Sequence, residues 1–219
     1  MVDFNSKQKR SFQTVLSGLK FARYGGKTIR FLTLTSSLLW AQSEGSAQLN
    51  SDFQVLKKRI CRYSPYRLYK EGYITKSNMI SKYGHRNILS KFHFEYFKVE
   101  TNEGNGVLHI LYRGSYLPYN FLVDNWQDIH LSWDVSIKHI DIDNSKSAAC
   151  YVVSQYVSNQ KSSYVRSSWS WNWVFRGFKF IWYRMRSGYP NDCFELWDNI
   201  LKNRASSYFF NQLSLDGFG

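Results

Sequence analysis

The sequence is short of acidic residues, of cysteine and of long apolar runs, and each shortage excludes something. Its 16 Asp and Glu stand against 29 Lys and Arg, a formal net charge of +13. An excess of that size governs solubility and partner choice rather than fold, and its commonest meaning is a polyanionic partner. The three cysteines, Cys61, Cys150 and Cys193, are odd in number and far apart. They match neither a disulfide framework nor a zinc pattern and suit a reducing cytoplasm. No apolar run approaches the roughly 18 residues a membrane span needs, so no membrane partner is expected. The start MVDFNSKQKR lacks the apolar centre of a signal peptide. YGGK lacks the rest of a phosphate-binding loop, and neither a Ser-His-Asp ordering nor a catalytic carboxylate pair stands out.

What is present is apolar and aromatic material, 43% and 18% of 219 residues, enough for one ordinary core and too much for disorder. SFQTVLSGLKFARYGG reads as a short helix stopped by Gly25-Gly26, and IRFLTLT as a strand from about Ile29 to Thr35. NSDFQVLKKRICRY places Phe53, Leu56 and Ile60 at helical spacing, with a basic outer face of Lys57, Lys58, Arg59 and Arg62. Residues 63–90, dense in Tyr, Lys and Arg, read as an insertion holding a short helix around Ser77–Lys82. KFHFEYFKVE and VLHILYR form a hairpin across TNEGNG; YNFLVDNWQDIH is helical, WDVSIKHIDI a strand, and SKSAACYVVSQYVSNQK a helix. The order β-α-β-β-α-β-α predicts an α+β fold. Its ferredoxin-like, palm-type β-α-β-β-α-β core carries a four- to five-stranded antiparallel sheet, helices on one face, and an open face for a site. An aromatic-rich C-terminal extension follows.

If the hairpin pairs Glu100 with Val107, then Glu100 and His109 share a face as diagonal neighbours, within reach of one divalent ion. A carboxylate with an imidazole suits Mg²⁺ or Mn²⁺ better than a closed zinc site. The alternative is a histidine with a structural role only.

The series FLTLT, VETNEGNGVLHILYRG and YVVSQYVSNQK, in that order and spacing, resembles the three motifs of HUH-type rolling-circle replication initiators of archaeal, plasmid or viral type, over about Ile29 to Lys161. The resemblance implies a metal-dependent nuclease: it binds single-stranded or hairpin origin DNA, and a tyrosine oxygen attacks phosphorus to nick and rejoin one strand. It divides the chain into a basic helical segment (1–28), a catalytic and DNA-binding core (29–161) and an extension (162–219). It also implies a prokaryotic host cytoplasm and, since the chain has no ATPase motif, a separate host helicase. The chain departs from the family pattern. Only His109 of the paired histidines is present, with Val107 or Leu111 in the other place, and Asn159 stands where a lysine is expected, with Lys161 two further on. Tyr156, in the family's context SQYVSNQ, is the favoured nucleophile and Tyr151 the other candidate. The ion would be held by His109 and Glu100, with Glu103 or the DNA phosphate completing the set. Because one imidazole is missing, a DNA-binding module that has lost nicking stands beside the enzyme.

YVRSSWSWNWVFRGFKFIWYRMR is the most unusual composition in the chain. In an extended segment Trp169, Trp171 and Trp173 project from one side, beside Arg166, Arg176, Lys179, Arg184 and Arg186. That is the make-up of a single-strand platform, on which bases stack on rings and cations track phosphates. Arg113 and Lys161 are further candidate phosphate contacts. The competing reading is an added strand whose tryptophans cover the core, followed by a helix with Phe175, Phe178 and Trp182 inward. The end of the chain reads as a short helix and a tail.

Overall fold

The β-branched and aromatic run IRFLTLT forms β1 (Ile29–Thr35) in a computed structural model that describes residues 6–37, 42–101, 103–154 and 166–215. Before it lies α1 (Ser6–Tyr24) and after it α2 (Gln42–Ile60), α3 (Pro65–Lys70) and α4 (Lys76–Tyr83). The hairpin follows as β2 (Phe94–Thr101) and β3 (Val107–Gly114), then α5 (Tyr119–His130), β4 (Val135–Ile140), α6 (Ser145–Val152), β5 (Arg166–Trp169), α7 (Phe178–Gly188) and α8 (Cys193–Leu215). The strands form one antiparallel sheet in the order β4-β1-β3-β2-β5. The first four are the ferredoxin-like arrangement expected from the element order, and β5 adds an edge strand against β2.

Side chains alternate across this sheet, and each face has its own core. Leu32, Leu34, Tyr96, Leu108, Ile110 and Tyr112 point to one face. There they meet Leu49, Phe53, Leu56 and Ile60 of α2 and Phe121, Leu122 and Trp126 of α5, apolar stripes at three- and four-residue spacing. The two helices of the β-α-β-β-α-β core thus lie on one face, as expected.

The opposite face, expected to be open, is covered. Ile29, Phe31, Phe97, Val99 and Leu111 pack there under α1, α6, α7 and α8. The basic N-terminal helix contributes Val15, Leu19, Phe21 and Ala22, all without exposed surface. It reads as weakly amphipathic because its buried positions include Ser11, Thr14 and Ser17 as well as apolar side chains. The C-terminal helix α8 runs for 23 residues, longer than the short helix expected, and it brings Trp197, Leu201, Ala205 and Phe209 onto the same face. Gly18 lets α1 approach closely, since a Cβ there would overlap the Trp173 indole. Among the described residues no helix is long and apolar enough to cross a membrane.

Candidate functional site

The hairpin register decides the predicted metal pair. Thr101 pairs with Val107, Glu100 with Leu108 and Val99 with His109, one residue away from the expected alignment. A slip of one residue moves every side chain to the other face. Glu100 therefore faces α2, where its carboxylate accepts from Asn50 Nδ2, while Asn50 Oδ1 accepts from Lys98 Nζ. His109 faces the opposite layer, its ring stacked on Phe31 at 5.9 Å between centroids. The sheet lies between the two groups, and they do not fit one ion.

His109 is sealed, with 5% of its side chain exposed. Its Nε2 lies 3.3 Å from Thr101 Oγ1 and 3.9 Å from a Glu103 carboxylate oxygen. Burial pushes its pKa down to about 4, so the ring is neutral near pH 7. Among the described residues no cluster of three or more His, Cys, Asp or Glu side chains is placed to hold a metal ion.

Of the two candidate nucleophiles, Tyr151 sits on α6, about half exposed, on a helix whose Ala149 and Val152 pack on the same face as Phe31. Tyr156 and Lys161 lie outside the described residues.

The three tryptophans do not form a row. The strand ends at Trp169, a turn carries Trp173 N to Ser170 O at 3.1 Å, and the rings diverge. Trp173 is completely buried, with its Nε1 donating to Thr14 O at 3.1 Å. It is a core residue and not a base platform. Arg113 is likewise inside, 1% exposed, its Nε donating to Glu95 at 2.6 Å and its Nη2 to the Asn172 carbonyl. Both assignments to nucleic acid are overturned by burial. Arg166 takes part in β5 opposite Glu100.

What remains outside is a smaller cation–aromatic surface. Trp171 is 69% exposed with the Arg176 guanidinium 5.2 Å from its ring centroid, and Lys179 Nζ lies 4.1 Å over the Trp169 ring. Burial and the charge of Arg10 lower the Lys179 pKa. The exposed face of α7 adds Phe180, Tyr183, Arg184 and Arg186. Phe180 and Tyr183 stand one turn apart, a spacing that places them together on the solvent side once Phe178 and Trp182 are assigned inward. The expected helix has Phe175, Phe178 and Trp182 inward and gives these two rings no role.

Sequence order also hid a buried polar chain. Ser36 Oγ lies 2.8 Å from His130 Nε2, and His130 Nδ1 lies 2.7 Å from Asp52 Oδ2, a Ser-His-Asp arrangement drawn from the exit of β1, the end of α5 and the middle of α2. Ser36 borders a cavity of about 580 Å³ whose mouth carries Tyr119, Leu131 and Trp133. Yet Ser36 is 4% exposed and His130 not at all. The Ser36 amide, a donor that acyl-transfer chemistry draws on for its oxyanion, is held by the Gly106 carbonyl at 2.9 Å. The chain acts as a clasp, and Arg59 reinforces it by bonding both Asn125 and Asp128 from α2 to α5. Comparison with family models, curated proteins and solved structures gives no match for this chain.

Proposed function

We propose that the chain is a nucleic-acid-binding module on an initiator-like fold, holding single-stranded or hairpin DNA without cutting it. The observation that carries this reading is the exposed surface of β5, the following turn and α7, where Trp171 pairs with Arg176 and Trp169 with Lys179 beside Phe180 and Tyr183. The net charge of +13 supplies the long-range attraction. Trp171, Phe180 and Tyr183 each offer a face to a base, worth roughly 1–3 kcal/mol, while Trp169, stacked on Phe97, holds Lys179 over its ring as a cation for phosphates. The separation of Glu100 from His109 across the sheet supports binding over nicking.

The test is fluorescence anisotropy of a labelled single-stranded oligonucleotide and a hairpin in rising KCl. The expected result is an affinity that falls linearly on a log–log plot with salt, and a loss of about tenfold or more in Trp171→Ala/Arg176→Ala. Affinity indifferent to salt and to that double variant defeats the reading.

A second reading, in which nicking persists, is favoured by the 3.9 Å approach of Glu103 to a neutral His109 on the face that α6 covers. There His109 and Glu103 would hold Mg²⁺ or Mn²⁺ with water, and Tyr156 or Tyr151 would be the nucleophile. Covalent capture of DNA in Mn²⁺ separates the two readings.

A further inference from the structure

At the end of the sheet where β1 and β2 begin and β3 leaves, a pocket of about 370 Å³ opens between the two layers. That volume is at the low end of small-ligand sites, which run from roughly 300 to 1,000 Å³. Lys27, Arg30, Lys82 and Lys91 are on its wall. Among the described lining residues the acid is Glu95, and it is already engaged, by Arg113 at 2.6 Å and by the Tyr208 hydroxyl.

Three of these four cations, Lys27, Arg30 and Lys82, approach aromatic rings, Lys27 Nζ at 5.2 Å from the Phe209 centroid. Arg30 and Lys82 approach the same ring, Tyr116, at 5.6 Å and 5.5 Å from its centroid, and Arg30 also lies 5.9 Å from the ring of Tyr112. Arg30 is partly exposed on the pocket wall, with its Nη1 closed to solvent, and its guanidinium interacts with the Tyr112 hydroxyl. The pocket wall thus carries Lys27, Arg30, Lys82 and Lys91 against a carboxylate that is already engaged, a surplus of positive charge that a bound polyanion would meet. A guanidinium with lysines near it matches a dianion with several acceptor oxygens, and the guanidinium's planar fork suits two oxygens of one phosphate.

We infer that this pocket binds a phosphate monoester, anchored by Arg30, neutralised by Lys82 and Lys91 and flanked by the Tyr116 ring. The phosphate belongs either to the 5′ end of a nucleic-acid strand or to a free nucleotide. Only the first source rests on the nucleic-acid reading, and the pocket is separate from the Trp171 surface.

The experiment compares one oligonucleotide with a 5′-phosphate or a 5′-hydroxyl end by anisotropy, and follows dAMP by calorimetry, using the full chain. Variants are Arg30→Gln and, in case Arg30 is needed for folding, the exposed pair Lys82→Gln/Lys91→Gln. A strand-end site gives a preference of about tenfold for the phosphorylated end that vanishes in either variant, while hydroxyl-end affinity stays within about twofold. It also survives Trp171→Ala, which weakens both oligonucleotides alike. A free-nucleotide site gives saturable dAMP binding lost in the same variants without an end preference. Absence of both, or a preference untouched by both variants, overturns the proposal, even if the oligonucleotide itself is bound.

Discussion

His109 and Glu100 occupy adjacent strands of one hairpin yet face opposite layers: the imidazole lies against Phe31 and the carboxylate against Asn50 of α2. Each is therefore part of a separate core, and each responds to pH and mutation through its own surroundings.

The pH response of His109 follows from its burial. Its pKa is about 4 in the fold against 6.5 in a free chain. Between those values the unfolded chain binds more protons, so stability rises with pH. The contribution is complete above about pH 6.5, where it approaches 3 kcal/mol, and is lost as pH falls towards 4. Urea titrations at pH 4.5, 5.5 and 7.5 should show wild type losing stability relative to His109→Phe on acidification. Parallel pH profiles would refute the assignment.

Two tryptophans two residues apart should separate folding from binding. Trp173→Ala removes a fully buried ring and its bond to Thr14, costing roughly 3–5 kcal/mol in chemical denaturation. Trp171→Ala, at an exposed site, should change stability by no more than about 0.5 kcal/mol while weakening oligonucleotide binding. Equal stability losses in the two variants would contradict the placement of the rings.

Arg113 and Glu95 form a buried pair, so breaking it from one side leaves an uncompensated charge. Arg113→Met alone should cost about 3–5 kcal/mol, and Arg113→Met/Glu95→Leu should recover much of that. The salt slope for a 5′-hydroxyl strand should be the same in the double variant as in wild type, because Arg113 is buried and is not part of the Trp171 surface.

The Ser36-His130-Asp52 clasp predicts coupled stability effects. Asp52→Ala and His130→Ala should each cost roughly 1–3 kcal/mol, with the double variant well below their sum, in a double-mutant cycle by thermal or urea unfolding. Full additivity would mean that the 2.7 Å contact does not hold α2 to α5.

The sheet order was legible because periodicity and turn residues fix local elements: Tyr119–His130 and Val107–Gly114 form where the pattern places them. The site was less legible for a geometric reason. A hairpin loop read one residue too long exchanges Glu100 with Thr101 on the face of His109, and period-two alternation makes that error total. The tryptophan row failed similarly, since alternation carries ring direction only while the strand lasts, and β5 ends at Trp169. The clasp joins residues 36, 52 and 130, whose meeting depends on how α2 and α5 sit over the sheet, and no local pattern encodes that.

The most direct measurement incubates the protein with an end-labelled single-stranded oligonucleotide in Mn²⁺ and resolves it both on a native gel and on a denaturing gel. The account predicts a salt-sensitive complex on the first and no covalent adduct or shortened strand on the second. A denaturation-resistant adduct that disappears in Tyr156→Phe or Tyr151→Phe would contradict it.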